Sequence, residues 1–373
     1  MAPPPLANVP LFSAEAAAFG LDLGQVLHEV LDSQRYILGP QVQAFERAFA
    51  AYVGVAHAVG VANGTDALEL ALRALGVGPG QRVVTVANAG FYGSTAVRAV
   101  GATPLYVDVD EATLTLSPAA LRQVLATQAV GAVIVTHLYG QLADMAAIAA
   151  LCQQAGVALI EDCAQAHGAR RDGRCAGAWG EIGCFSFYPT KNLGALGDGG
   201  ALVTDDAALA ERLRSLRQYG WRAKYEVVLP DGCNSRLDEL QAAVLGAKLP
   251  RLDAANAERR AIAVRYQRAF ADLPLRLPAS TGEDHVMHLY VVRTARRAAL
   301  RAHLAAAGVA TDIHYPIADH LQPLLVAEAE PPALPASEAA CAEVLTLPCF
   351  PGLGDEQVQR VIDAVRGFHE GGA

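Results

Sequence analysis

The chain has 373 residues, which suits one large domain plus a smaller one. Lysine and arginine number 29 against 38 acidic residues, and the net charge of −9 argues against nucleic-acid binding, which needs a basic face. The seven cysteines form no CxxC pair, and residues 1–5 show no basic region followed by an apolar core. We therefore expect reduced thiols, no signal peptide, no membrane span and a cytoplasmic location.

Apolar runs of strand length alternate with alanine-rich segments of helix length through the first 250 residues. Such alternation is typical of βαβ units and predicts an α/β fold with a mostly parallel sheet buried on both faces. Ligands bind these sheets at the carboxyl ends of the strands, so polar residues just after each strand become candidates for a site. The predicted strands are 83–86, 104–108, 132–136, 157–160 and 201–204.

The sequence pattern changes near residue 250. We predict a large domain over residues 1–250, which includes an N-terminal arm, and a small C-terminal α/β domain over residues 251–373. The proline- and acid-rich composition of residues 328–335 predicts a surface loop. The other predicted elements of this part are a helix, a strand and a second helix at 253–271, 289–293 and 296–307.

One lysine and one carboxylate have the chemistry of a cofactor site. Lys191 stands between an aromatic run and a glycine-rich turn, and apolar neighbours favour a neutral, nucleophilic amine. Asp162 follows the predicted strand 157–160, where a buried carboxylate needs a positive partner. Pyridoxal phosphate (PLP) needs both groups, a lysine for the Schiff base and a carboxylate for the protonated pyridine nitrogen. The alternatives are a solvated surface lysine and a helix-capping acid.

A possible phosphate site precedes the helical pattern that runs to about residue 75. Gly64 allows close backbone approach and Thr65 supplies a hydroxyl, so that the first N–H groups of this helix can bind an anion. Taken alone, these residues more commonly form an ordinary helix cap.

Segments 161–168 and 186–201 resemble those of the DegT/DnrJ/EryC1/StrS family of sugar aminotransferases, and the similarity extends from Tyr36 to Pro316. The resemblance implies fold type I of the PLP enzymes and homodimers with sites at the subunit interface. Lysine at position 191, where related sugar dehydratases carry histidine, favours amino transfer.

The family pattern also implies a role for each cofactor residue. Lys191 would bind PLP and move the proton at the substrate carbon, and Asp162 would pair with the ring nitrogen. Gln165 would contact the ring hydroxyl, and Phe91 would stack on the ring unless it is an ordinary core residue. The phosphate ligands implied by the resemblance are Gly64, Thr65, Ser186 and, from the neighbouring subunit, Asn234.

Two further segments, 234–240 and 314–322, resemble the branch that aminates C-3 of dTDP-3-keto-6-deoxyhexoses with L-glutamate as the amino donor. The product would be a dTDP-3-amino-3,6-dideoxyhexose, and the cofactor would pass through its pyridoxamine phosphate form. The candidate substrate residues are Arg222, Lys224, Arg236, His314 and Tyr315.

Three other functions stay open from the sequence: a C-4 sugar aminotransferase, an amino-acid aminotransferase, and a non-catalytic regulatory protein on the same fold. An amino-acid enzyme needs a fixed arginine for the α-carboxylate, and no motif identifies one. The presence of Lys191, Asp162 and Gln165 favours catalysis. No metal site is expected, because His285 and His288 belong to no HExxH pair and no cysteine flanks them.

Overall fold

The computed structural model describes residues 8–371, so residues 1–5, where we expect no signal peptide, lie outside it. The strands are β1 (His57–Val61), β2 (Arg82–Val86), β3 (Thr103–Val107), β4 (Ala132–Thr136), β5 (Ala158–Asp162), β6 (Arg170–Arg171), β7 (Arg174–Cys175), β8 (Ile182–Ser186), β9 (Gly200–Thr204), β10 (Trp221–Ala223), β11 (Glu226–Val227), β12 (Tyr290–Arg293) and β13 (Val344–Leu347). The α-helices are α1 (Leu23–Ser33), α2 (Pro40–Val53), α3 (Gly64–Ala74), α4 (Tyr92–Ala99), α5 (Pro118–Thr127), α6 (Met145–Ala155), α7 (Ala207–Leu216), α8 (Glu239–Lys248), α9 (Leu252–Phe270), α10 (Arg297–Ala306), α11 (Pro323–Val326), α12 (Pro335–Glu343) and α13 (Asp355–Glu370).

A seven-stranded sheet in the order β1-β9-β8-β5-β4-β2-β3 forms the centre of the molecule. Strands β3, β2, β4, β5 and β8 run parallel to one another. Strand β9 runs antiparallel to both β8 and β1. The prediction of a mostly parallel α/β sheet is therefore confirmed, with one reversed strand that the sequence pattern did not reveal.

Helices bury both faces of this sheet, as strand β4 shows. Val133 and Val135 belong to one apolar cluster, together with residues of α2, α5, α6 and α8. Ala132 and Ile134 belong to a second cluster, together with residues of α3, α4 and α7. Because successive side chains of a strand point to opposite faces, an entirely apolar strand is buried on both sides.

The C-terminal part of the chain has an apolar core of its own. Strands β12 and β13 pair antiparallel, and residues of α9, α10 and α13 pack with them. Val9, near the N-terminus, belongs to this cluster, whereas Val291 and Val344 pack in the core of the large sheet. Helix α9 begins at Leu252, close to the predicted boundary at residue 250, which stays a prediction.

The cysteines and the helices bear on the cellular setting expected from the sequence. All seven cysteines have free thiols, and only Cys233 is not buried. Within residues 8–371, no helix combines the length and the apolar character that crossing a bilayer requires.

Candidate active site

A cavity of about 670 Å³ opens where the parallel strands end. Thr136, Asp162 and Ser186 are the last residues of β4, β5 and β8, and all three line it, as expected for a parallel sheet. The predicted site residues that the structure brings together in this cavity are Gly64, Thr65, Asp162, Gln165, Ser186, Lys191, His314 and Tyr315.

Lys191 lies in the loop that follows β8 and is partly exposed to the cavity. Its N–H donates to the carbonyl of Tyr188 over 2.8 Å, and the next residue, Asn192, donates to Asn256 Oδ1 over 2.8 Å. Desolvation lowers the pKa of Lys191 to about 8, and the charge of Asp162 opposes this shift. A minority of this amine, far more than of an ordinary lysine, is therefore neutral near physiological pH, and the neutral form is the one that attacks a carbonyl.

Asp162 is buried and lacks a strong cationic partner of its own. Its Oδ1 accepts the N–H of Ala164 over 3.1 Å, and its Oδ2 accepts the hydroxyl of Thr136 over 3.2 Å. Burial raises the pKa of Asp162, while the backbone bond and the charge of Lys191 lower it. No lysine or arginine in residues 8–371 forms an ion pair with this carboxylate. A protonated pyridine nitrogen fits here, because it would supply the missing charge.

The first turn of α3 meets the end of β8 and forms an anion cradle. Asn63 caps this helix by accepting the N–H of Asp66 over 2.8 Å. A Cβ added to Gly64 would lie 2.6 Å from the Cβ of Ser186, so glycine is what permits this contact. The hydroxyls of Ser186 and Thr65 line the same space as the helix N-terminus. These donors fit a phosphate group.

The C-terminal part of the chain closes the cavity with Tyr315. The N–H of Tyr139 donates to Gln165 Oε1 over 2.6 Å, and Gln165 Nε2 donates to the Tyr315 hydroxyl over 3.2 Å. The hydroxyl of Tyr139 donates to the carbonyl of His314. This chain of bonds fixes the Gln165 amide with its N–H group toward the cavity, where a ring hydroxyl can accept from it.

Phe91 does not line the cavity, although its neighbours Ala89 and Tyr92 do. Its backbone has a φ of 71°, and its N–H donates to Asp319 Oδ1 over 2.9 Å at the start of α4. The Tyr92 ring lies 6.0 Å from the Tyr315 ring across the cavity. The stacking role of Phe91 stays a prediction, and Tyr92 is a cavity residue that sequence reasoning missed.

Asn234 and the three basic candidates also lie outside the cavity. Asn234 is exposed, and Arg222 forms an ion pair with Glu226 within the β10–β11 hairpin. Lys224 lies 5.1 Å from the ring centre of its neighbour Tyr225. Arg236 packs over the ring of Tyr219, and its Nε is buried without a partner. Their roles remain predictions, and the role expected of Asn234 requires a second subunit.

Two buried histidines near the cavity, His137 and His285, have hydrogen-bond partners within the protein. His137 Nε2 lies 2.9 Å from Glu161, and Cys163 is their neighbour. Glu161 also accepts N–H groups from the backbone of residues 177–180, so its oxygens are already in use. His285 contacts the carbonyls of Ser280 and Tyr139.

Several cavity residues had no motif that could have revealed them. Arg259 lies on the predicted helix 253–271, and its position on the buried face of that helix is typical of a core residue. His288 lies in a loop and also lines the cavity. The others include Asp312, Cys349 and Phe350, whereas Tyr188 and Asp198 lie within the recognised segment 186–201.

Comparison with known proteins agrees with this geometry. The model of the DegT/DnrJ/EryC1/StrS aminotransferase family matches residues 21–366. The dTDP-3-amino-3,4,6-trideoxy-alpha-D-glucose transaminase of Streptomyces venezuelae is 47% identical, with 97% of each chain covered. The dTDP-3-amino-3,6-dideoxy-alpha-D-galactopyranose transaminase of Aneurinibacillus thermoaerophilus is 44% identical, with 93% of this chain and 95% of that protein covered.

A solved structure shows the same architecture. The crystal structure of S. venezuelae DesV in complex with a ketimine intermediate gives a TM-score of 0.94 at 47% identity, and 98% of this chain and 99% of that chain are covered. This likeness confirms the predicted fold type I architecture. The family match over most of its length shows that the chain belongs to the DegT/DnrJ/EryC1/StrS aminotransferase family.

Proposed function

We propose that the protein is a PLP-dependent transaminase that transfers the amino group of L-glutamate to C-3 of a dTDP-3-keto-6-deoxyhexose. The products would be 2-oxoglutarate and a dTDP-3-amino-3,6-dideoxyhexose. The observation that carries the proposal is the desolvated Lys191 amine, which shares one cavity with the buried Asp162 carboxylate and the anion cradle. Both similar transaminases are named for 3-amino sugars linked to dTDP, which supports the choice of substrate.

PLP, when bound, supplies the electron sink that allows an amine to leave one carbon and join another. The chain's own residues bind and orient it and handle the protons. Asp162 would hold the ring nitrogen through its carboxylate, and Gln165, whose Nε2 donates to the Tyr315 hydroxyl, would contact the ring hydroxyl. Lys191 Nζ is partly neutral near pH 8, so it would take a proton from the reacting carbon in one half-reaction and return a proton in the other.

The complete site is proposed to need two subunits. Asn234 is exposed and does not line the cavity of its own subunit, as expected for a residue that serves a neighbouring subunit. Exposed apolar side chains around it support a covered surface in a homodimer. They include Tyr219, Tyr225, Val227 and Val228. We also place the enzyme in the cytoplasm, in keeping with its free thiols.

The test separates the two halves of the reaction by the absorbance of the cofactor. L-Glutamate first converts the holoenzyme to its amine-loaded form, after which dTDP-3-keto-6-deoxyglucose and its 4-keto isomer are added to separate samples. We expect the original spectrum to return with the 3-keto sugar alone. A return with the 4-keto sugar alone would overturn the C-3 assignment, and a failure of glutamate to convert the enzyme would contradict the proposed donor.

A further inference from the structure

The cavity wall contains a buried arginine without a carboxylate partner. Arg259, on α9, is 6% exposed and lines the cavity. Two other buried arginines are each neutralised: Arg217 lies 2.6 Å from Glu46, and Arg293 lies 2.9 Å from Glu343. No carboxylate of residues 8–371 pairs with Arg259 in this way. A buried charge is costly when unpaired, so an anion from outside the chain would stabilise this guanidinium.

The backbone holds Arg259 by one end of its guanidinium. Nη1 donates to the carbonyl of Cys349 over 2.7 Å and, at longer range, to those of Met287 and His288 over 3.3 and 3.4 Å. Nε is buried without a partner. Burial lowers the pKa of Arg259 to about 10, so that the group remains charged at neutral pH. A fixed, charged guanidinium that has N–H groups without partners is suited to bind a single carboxylate.

Arg259 is linked through His288 to the loop that carries the reacting amine. Its Nη1 lies 3.4 Å from the carbonyl of His288. His288 Nδ1 contacts Asn192 Oδ1 over 3.1 Å, directly after Lys191 in the chain. The phosphate donors lie instead at the start of α3, against Ser186. An anion bound by Arg259 would therefore lie in the cavity that Lys191 also lines.

We infer that Arg259 is the residue that binds a carboxylate of the amino donor. The inference rests on the proposed aminotransferase function and assigns the residue that binds its amino donor. A sugar diphosphate is bulky and carries several charges, whereas the Arg259 guanidinium is almost enclosed and reaches the cavity from between Cys349 and His288. A small carboxylate matches this enclosure better. Such a residue supplies the fixed arginine that no sequence motif indicated.

The test compares Arg259→Gln and Arg259→Lys with the matched control Arg260→Gln, the next residue on α9, which does not line the cavity. Calorimetry measures 2-oxoglutarate binding to the cofactor-loaded enzyme, and absorbance follows the glutamate and sugar half-reactions separately. We expect Arg259→Gln to weaken 2-oxoglutarate binding and glutamate use by about 10- to 100-fold, in line with the loss of a charged hydrogen bond. The sugar half-reaction and the control should be almost unchanged.

Other outcomes would count against the inference. Equal losses in both half-reactions, with a lower melting temperature, would assign Arg259 a structural role. A loss confined to the sugar half-reaction would assign it to the sugar nucleotide, and unchanged 2-oxoglutarate binding would also overturn the inference. If Arg259→Gln does not fold, Arg259→Lys is used instead, because it keeps the charge but lacks the planar guanidinium. The same outcomes for 2-oxoglutarate binding and the two half-reactions then decide the inference. A wild-type enzyme that binds 2-oxoglutarate but does not react with the keto sugar would contradict the proposed function alone.

Discussion

Lys191 owes its reactivity to where the chain places it. A lysine exposed on a surface is almost fully protonated at neutral pH, whereas desolvation in this cavity lowers the pKa to about 8. The opposing charge of Asp162 prevents a larger shift. The two residues are therefore coupled, and a change in one alters the titration of the other.

The rate at which apoenzyme takes up PLP should report this titration. Because only the neutral amine attacks the aldehyde, we expect the rate to rise with pH and to level off above about pH 8. Asp162→Asn removes a charge that raises the pKa of Lys191, so the midpoint should move to lower pH. Stopped-flow absorbance measures both profiles. A wild-type rate that keeps rising through the range of an ordinary lysine, around pH 10.4, would contradict the environment described here.

Sequence reasoning found the residues with a motif and missed those that only folding brings together. Lys191 and Asp162 belong to short segments with recognisable neighbours, and each follows a strand end. Arg259 comes from a helix more than sixty residues beyond Lys191 in the chain, and its position on the buried face of α9 resembles that of a core residue. Tyr92 also lines the cavity and belongs to no motif that the sequence offered.

At the scale of elements, the start of α3 depends on close contact with β8. We predict that Gly64→Ala raises the Kd for PLP about tenfold, equivalent to about 1.4 kcal/mol, because the new methyl group would collide with Ser186. Gly246→Ala in α8 is the control, since a Cβ there meets nothing within 4 Å. That variant should leave PLP affinity unchanged and stabilise the helix. Titration of apoenzyme with PLP, followed by fluorescence, measures both, and equal affinities would refute the cradle.

The loop before α4 is held by a buried acid from the C-terminal part of the chain. Asp319 accepts the N–H of Phe91 and, over 2.9 Å, the hydroxyl of Ser94. The Ser94 oxygen in turn accepts the hydroxyl of Tyr106. Burial raises the pKa of Asp319 to about 7, while the hydrogen bonds lower it. The nearby His320 contacts Glu338 rather than Asp319. No cation of residues 8–371 pairs with this carboxylate.

The buried Asp319 carboxylate should make the stability of the folded state depend on pH. The folded state binds the Asp319 proton more tightly than the unfolded chain, so the contribution to stability is complete below about pH 4 and is lost as the pH rises through about 7. Asp319→Asn cannot titrate, and its melting temperature should gain on that of the wild type between pH 5 and pH 8. Asp110→Asn, at an exposed turn where the carboxylate also accepts N–H groups, is the control. Parallel curves for wild type and Asp319→Asn would contradict the prediction.

The elements of the sheet were predictable to the extent that they are apolar throughout. The predicted strand 132–136 coincides with β4, in which every residue is buried, and 83–86 falls within β2. The direction of β9 was not predictable, because pairing direction depends on the path of the chain rather than on composition. The domain boundary depends likewise on contacts between distant residues such as Val9 and α9.

At the scale of the whole molecule, the proposed homodimer can be tested by complementation. Lys191→Ala and Asn234→Ala should each be nearly inactive as homodimers. If Asn234 serves the neighbouring subunit, a mixed dimer carries one site with both defects and one with neither. Random reassociation of equal amounts should then restore about a quarter of wild-type activity, since half of the dimers are mixed. If Asn234 acts within its own subunit, every site keeps one defect and the mixture stays inactive.

Strand β5 ends in two consecutive buried acids that face opposite ways. Glu161 is fully satisfied behind the sheet by His137 and by the backbone of residues 177–180, whereas Asp162 faces the cavity. Deleting or inserting a single residue upstream in this strand would move each of the two side chains to the opposite face of the sheet. Glu161 would then face the cavity side, and Asp162 would point away from it. A structural acid and a reactive acid are thus consecutive residues of one strand, and only the register of that strand determines which of them faces the cavity.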